Sequence, residues 1–354
     1  MDKVSVLFST SLAEMARALR AINYATPIVR TVRRLAWTMI AVVAVLIVAG
    51  VVATPLAIAL LFVPGLVVLL FWSLPFYLAW MLRRNSAYWT QDLHAEFSPV
   101  GIRSGSVGAD GFTEWRAVVR TTETGAFFLY FTSAQAGQFI PKRVLLASEM
   151  EQLRRFFREY PGTTGASTTP APAASMSPPL VQTRFTLDPT EVTRVAMVAA
   201  HKTGSMWVWY LLMLVIVSFN TVPVTYRQWR HGGFGAISIP LLLLGLSPML
   251  IIIVGPPLAA RWAAKRQVRT GSSSQGTQHV GVADWGLEVR GPMSSGTLRW
   301  SSVMKAIETP EFFLFFLSKL QPVYIPKRLL SDAEAAQVRQ LTRSALGSRA
   351  ELLE

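Results

Sequence analysis

The side chains best placed to do chemistry are two matched pairs of cations, Lys142-Arg143 and Lys327-Arg328, each closing an Ile-Pro-Lys-Arg tetrapeptide after Pro141 or Pro326. Paired cations at the end of a strand can take the oxygens of an anionic headgroup or an acidic protein, each worth up to about 1 kcal/mol beside a membrane. The competing reading is that proline ends the strand and the charges are solvated. Two carboxylates recur as well, Glu123 and Glu308, each followed by threonine. General acid or base work needs a second carboxylate or a histidine at useful spacing, and neither has one, so a turn or salt-bridge role is expected. Trp115 and Trp300 also match, and large aromatics in small sheets are more often core anchors than ligand platforms.

The rest of the sequence excludes more chemistry than it offers. With no cysteine there are no disulfides, thiolate metal sites or cysteine nucleophiles. His94, His201, His231 and His279 are scattered and lack metal-ligand spacing. No phosphate loop, Gly-x-Ser-x-Gly elbow or dinucleotide fingerprint is present, so neither an enzyme nor a cofactor or metal is expected. A net charge of +14 would suit nucleic acid, but the cations crowd beside apolar runs and no basic helix has base-reading spacing. Membrane lipid or a protein partner is expected; nucleic acid is not.

The elements that position these residues announce themselves by apolarity. A 354-residue chain with 51% hydrophobic residues and a mean hydropathy of +0.38 is too apolar for ordinary soluble domains. Residues 35–82 contain no charged residue or histidine, more than twice the length that spans a bilayer, and are expected to cross twice with a break near Gly50 to Pro55, Pro64-Gly65 being the competing turn. A second pair is expected over 206–260. Arg30, Arg33, Arg34, Arg83, Arg84, Lys202, Arg261, Lys265, Arg266 and Arg269 flank one side, against Arg227 and Arg230 on the other. Cations are retained in the cytoplasm during insertion, so both termini and both soluble modules are expected there, in a multi-pass protein of the cytoplasmic membrane. No cleaved signal peptide is read in the first 34 residues.

A shift of 185 residues aligns 101–143 with 286–328 without a gap, and fifteen of the 43 positions are identical. Fainter matches precede the spans, with Phe8, Glu14 and Arg17 against Phe185, Glu191 and Arg194. The chain reads as a tandem duplication: cytoplasmic amphipathic segment 1–34, transmembrane hairpin 35–82, soluble module 88–160, Pro/Ala/Ser/Thr linker 161–180, cytoplasmic segment 185–205, hairpin 206–260 and module 275–348. Strands are expected in the first module near 92–97, 100–104, 112–116, 118–123, 126–132 and 137–140. The strand around Phe127 to Phe131 is apolar on both faces, so a closed barrel or a capping helix must cover it. Ser148 with Glu151, and Ser331 with Glu334, have the spacing of helix N-terminal capping boxes. The expected inward stripes are Met150, Leu153, Phe157 and Tyr160, and Val338, Leu341 and Ala345. Leu12, Met15, Leu19 and Ile22 form another stripe, suited equally to lying on the membrane or packing on the module.

In this order, with its Gly strand, Trp strand, Glu-Thr turn, Phe-rich strand, Ile-Pro-Lys-Arg and terminal helix, the chain resembles the bacterial YcxB-like membrane family in two copies. The resemblance implies a pleckstrin-homology-like module, a small bent antiparallel sheet with a C-terminal helix, and brings no catalytic residue or cofactor. The expected fold class is an α+β integral membrane protein with four transmembrane helices in two hairpins, each followed by such a module. The expected function is non-catalytic: paired cytosolic modules binding a partner protein or anionic lipid, in envelope homeostasis or immunity to membrane-active peptides. The two repeats are expected to pair within the chain about a pseudo-twofold axis along the membrane normal. A small transporter or channel component is the alternative. Buried midplane charges are missing and count against it, while Gly245, Gly255, Pro256 and Pro257 allow the helix irregularity it would use.

Overall fold

The computed structural model describes residues 3–50, 72–84, 91–133, 137–160, 177–202, 276–318 and 321–353, with isolated residues between them. Contacts divide the chain into two units, one of Met1–Leu187 with Gln267–Glu354 and the other Asp188–Arg266. In the second unit the principal described element is helix α4, Pro189–Lys202, in which the Thr193 hydroxyl donates to the carbonyl of Pro189 at 2.7 Å.

The first unit is built on antiparallel sheets. Strand β1, Val4–Phe8, alternates strictly: Val4, Val6 and Phe8 are buried, Ser5 and Leu7 exposed. That period of two lets one face join a core while the other meets solvent. β1 pairs with β2, Leu93–Phe97, matching Val4 to Phe97 and Phe8 to Leu93. β2 continues through β3, Gly101–Ser106, and β4, Ala109–Glu114. The second half supplies β8, Val181–Thr186, β9, Thr277–Val282, β10, Gly286–Arg290, and β11, Ser294–Arg299. All eight lie in one sheet, ordered β1-β2-β3-β4-β11-β10-β9-β8. The halves join where β4 meets β11 in antiparallel register, with Gly111 facing Gly296, Thr113 facing Ser294 and Ala109 facing Leu298. The 185-residue shift carries Gly111 onto Gly296, so the central pair of this join are counterparts, and it carries Thr113 onto Leu298 and Ala109 onto Ser294, exchanging the pairs on either side.

Each half adds a second sheet. In the first, β5, Arg120–Glu123, β6, Phe127–Phe131, and β7, Gly137–Pro141, run in order. In the second, β12, Lys305–Glu308, β13, Phe312–Ser318, and β14, Gln321–Pro326, do the same, and β15, Ala350–Glu351, is added beside β12. All five residues of β6 are buried, and the cover comes from the other sheet and from helix α3, Ala147–Glu159. Phe157 of α3 stands 6.2 Å from Phe97 and 5.7 Å from Phe128, and Phe156 stands 6.2 Å from Trp115, ring centre to ring centre. Helix α5, Asp332–Leu346, holds this place in the second half. The expected stripe of α3 packs on the core through Met150, Leu153, Phe157 and Tyr160, and Phe156 joins Leu153 as fully buried; in α5 Val338 is buried as expected, with Ala335, Thr342 and Leu346 beside it while Leu341 and Ala345 are half-buried.

Helix α1, Leu12–Ala25, packs on the first module. Ile22 and Ala18 enter its core, and Met15 and Ala16 close on Ala79 of the helical residues 72–84. Of the two readings of the Leu12 stripe, the structure therefore takes packing against protein.

The expected fold class is corrected. The fold is α+β with extensive antiparallel sheets, and among the described residues one helix is long and apolar enough to cross a membrane, Val29–Val48 within helix α2, Pro27–Val48. It begins eight residues before the expected start, because Pro27 suits the first turn of a helix, and it ends at Val48, ahead of Gly50 at φ 68°. Four transmembrane helices in two hairpins are not what this fold shows. Uncharged length alone measures what hydrocarbon could accept and does not say where helices begin, end or pack. The C-terminal part of the expected second span, residues 72–84, sets Ala79 against α1 rather than leaving it bare. The other expected spans and most of the linker lie outside the described residues.

Candidate functional site

The matched charges gather at corresponding places in the two modules. In the first, Glu123 ends β5, Lys142 opens the 3-10 turn Lys142–Val144 after Pro141, and Arg154 lies midway along α3. Lys142 Nζ approaches Glu123 Oε1 to 2.5 Å, and Arg154 grips both oxygens of Glu123, at 2.9 Å through Nη2 and 3.1 Å through Nε. In the second, Lys327 Nζ lies 2.6 Å from Glu308 Oε1, and Arg339 reaches the same carboxylate at 2.8 and 3.0 Å. The lysines also lie over Phe128 and Phe313, 5.1 and 5.4 Å from the ring centres. A carboxylate thus ties the edge of a sheet to the turn and helix that follow it. Bidentate guanidinium contacts are the strong, directional kind of ion pair.

Backbone bonds explain why the chain turns here. Pro141 pairs with Phe127, and Pro326 with Phe312, at the last register of their strands; the next amide, of Lys142 or Lys327, donates to Ala126 O at 2.9 Å or Glu311 O at 2.8 Å. Thr124 closes the hairpin ahead of β6, accepting from the Phe127 amide at 3.0 Å, and Thr309 does the same for Phe312 at 2.9 Å. Trp115 and Trp300 lie in short 3-10 turns rather than in strands, and both are buried. The indole of Trp115 donates to the Ser98 carbonyl at 2.7 Å, and that of Trp300 to the Ala283 carbonyl at 3.1 Å.

The two carboxylates differ in setting. The Glu123 side chain is 34% exposed and that of Glu308 is 0%. Hydrogen bonds from Arg154 and then Lys142 hold Glu123 down to about 2. Burial pushes the Glu308 carboxyl upward, but Arg339 and Lys327 together outweigh it and leave it below its ordinary value. Its extra cover is the C-terminal segment, whose Leu353 amide donates to Glu308 Oε2 at 3.1 Å.

Of the four cations singled out in the sequence, Lys142 and Lys327 are thereby turned toward carboxylates of their own module. Arg143 reaches Glu14 of α1 at 2.7 Å and the Ser9 carbonyl at 2.6 Å, tying the N-terminal segment to the module. Arg143, foremost by hydrogen bonding, lowers the Glu14 carboxyl against its burial. Sequence reasoning missed Arg154, Arg339 and Glu14 as partners. The first two were within reach of the same 185-residue shift carried past position 143, which superposes Arg154 on Arg339 and Glu149 on Glu334.

The helix that carries Arg154 starts differently from the expected cap. Its N-cap is Leu146, whose amide donates to Glu149 at 2.8 Å, and Ser148 lies inside the first turn. Ser331 is the N-cap of α5 and completes the box with Glu334: the Glu334 amide donates to Ser331 Oγ at 3.3 Å, and the Ser331 amide to Glu334 at 2.8 Å.

In both halves a carboxylate at a sheet edge is tied to the turn and the closing helix that follow it. The family model described as YcxB-like protein matches residues 284–342, which run from just ahead of β10 into α5. No curated protein and no solved structure matches the chain significantly.

Proposed function

We propose that this is a non-catalytic protein of the cytoplasmic membrane, in which two cytosolic modules bind a partner protein or anionic lipid headgroups in envelope homeostasis or defence against membrane-active peptides. The observation that carries the membrane reading is helix α2. Leu35, Trp37, Met39, Val42, Val45, Ile47 and Val48 are all exposed on it, bordered at the N-terminal end by Arg30, Arg33 and Arg34. Water does not favour so long an apolar surface, and cations at one end are what the cytoplasmic side retains. In this reading the two modules are tandem copies. The support is the shared shift, which relates the Glu-Lys-Arg clusters, both indole bonds and the β4-β11 join. Four strands, then three, then a closing helix support a pleckstrin-homology-like character for each copy, with the β4-β11 join serving as an internal homodimer contact.

The absence of cysteine makes single-cysteine labelling direct. Val107→Cys in the first module and Ser344→Cys in the second are expected to resist an impermeant maleimide in intact cells and to label after permeabilisation. The protein is expected in the membrane fraction and to need detergent for release. Labelling from outside, or recovery of intact protein without detergent, would overturn the reading.

A further inference from the structure

We propose that the outer edge of β5 in the first module is a docking site for an extended, acidic segment of a partner protein, added as a parallel strand. This rests on the partner-binding half of the function proposed above and names the site and the chemistry.

The second module shows what such an edge accepts. There β12 is covered by β15 in parallel register, Ala306 with Ala350 and Ile307 with Glu351. Three bonds fix the added segment: Lys305 Nζ to Glu351 at 2.6 Å, the Leu353 amide to Glu308 at 3.1 Å, and Arg349 Nη1 to the Val303 carbonyl at 2.8 Å. The occupant therefore reads as a small residue, a carboxylate, then two leucines, Ala350 to Leu353.

The same shift lays β5 on β12, with Arg120 at the Lys305 position, Thr121 and Thr122 at Ala306 and Ile307, and Glu123 at Glu308. Among the described residues no strand pairs with the far side of β5. The hairpin closes with the Thr124 amide on the Phe127 carbonyl at 2.9 Å, so by antiparallel alternation Thr122 bonds to β6 while the amides and carbonyls of Thr121 and Glu123 face outward. Such an open row of backbone groups is a template for strand addition. Arg120 supplies the charge: its Nη1 donates to the Ala25 carbonyl at 2.7 Å, its guanidinium lies 3.9 Å from the centre of the Phe131 ring, and its Nη2 has no acceptor among the described residues. A carboxylate at the Glu351 position is the complement it lacks. The threonines also fit, since an edge with no strand beside it among the described residues is safer polar than lined by the Ala-Ile of a covered one.

The test uses the full-length chain in nanodiscs, where its own tail already occupies β12. A fluorescein-labelled peptide of the sequence Gly-Ser-Arg-Ala-Glu-Leu-Leu-Glu, that of residues 347–354, is titrated by fluorescence polarisation. Saturable binding at one site is expected, with slowed hydrogen exchange in residues 120–123 and no change in 305–308. Lysine in place of the peptide's first glutamate is expected to weaken binding roughly tenfold or more. Thr121→Pro removes an outward amide that β6 does not use, and is expected to abolish binding. The lysine peptide keeps the test sharp if that variant folds poorly. No saturable binding, equal binding of the lysine peptide, or protection confined to β12 would overturn the proposal. So would self-association of the chain through its own tail, which would make a second copy the occupant. Membrane fractionation does not depend on this edge, so failure here and failure of the membrane reading are separately visible.

Discussion

Glu123 and Glu308 make the same contacts with the same residue types, yet their removal is expected to cost different amounts. Glu308→Gln keeps the shape of a side chain that is 0% exposed but leaves Lys327 and Arg339, 18% and 32% exposed, without their anion. Breaking a buried pair costs about 3–5 kcal/mol. Partial solvent access to the two cations brings the expectation to the lower end, about 3 kcal/mol. Glu123→Gln acts on a carboxylate 34% exposed, held by Arg154 at 39%, in the range where ion pairs are worth about 0–1 kcal/mol. The expected difference, about 2 kcal/mol, is roughly thirtyfold in a local opening constant. Hydrogen exchange read by mass spectrometry reports each module separately, through peptides covering β5-β6 and β12-β13. An equal or larger loss for Glu123→Gln, or a loss under about 1 kcal/mol for Glu308→Gln, would show that burial by the C-terminal segment does not set the strength of these clusters.

Acid should act on the first cluster in a defined window. The Glu123 carboxyl is depressed from 4.5 to about 2, so its contribution is full above 4.5 and is lost as pH falls toward 2; exchange in β5-β6 is expected to accelerate there, less so in Glu123→Gln. Leu146→Ser gives α3 the N-cap that α5 already has and is expected to stabilise by about 1 kcal/mol, whereas Ser331→Ala should cost about as much, both read as melting shifts. Gly286→Ala meets the Leu298 carbonyl at 2.0 Å from a backbone at φ 152° and is expected to cost more than about 2 kcal/mol. Gly111→Ala, whose new atom would find its nearest neighbours at 3.6 Å, is expected to cost less than about 1 kcal/mol, which denaturant titration can separate.

Much of the module was legible because its signals are local. Alternation and turn residues placed β2 to β7 within a few residues, and the double-faced apolarity of Phe127 to Phe131 required cover from a closed barrel or a helix, of which the structure uses the helix together with the other sheet. The strand β1 was not legible, because five residues ahead of a helix carry a weak pattern and their partner, β2, begins at Leu93, far along the chain from Phe8. Leu146 hid the start of α3 for a simpler reason: leucine is a poor N-cap, and the serine two positions on offered a false one.

By itself the sequence determined that two like segments recur, which residue types they share, and that the chain carries apolar runs bordered by arginine. Apolar length did not determine the number of spanning helices, and tertiary structure corrected it. Only tertiary structure decided that the halves join through β4 and β11, since backbone hydrogen bonds between strands leave no mark on side-chain type. It alone decided that the repeated lysines face carboxylates of their own module. It also decided that one of two matching carboxylates is sealed and the other open, because burial depends on what another part of the chain lays across the edge, and residue identity at the site does not record that.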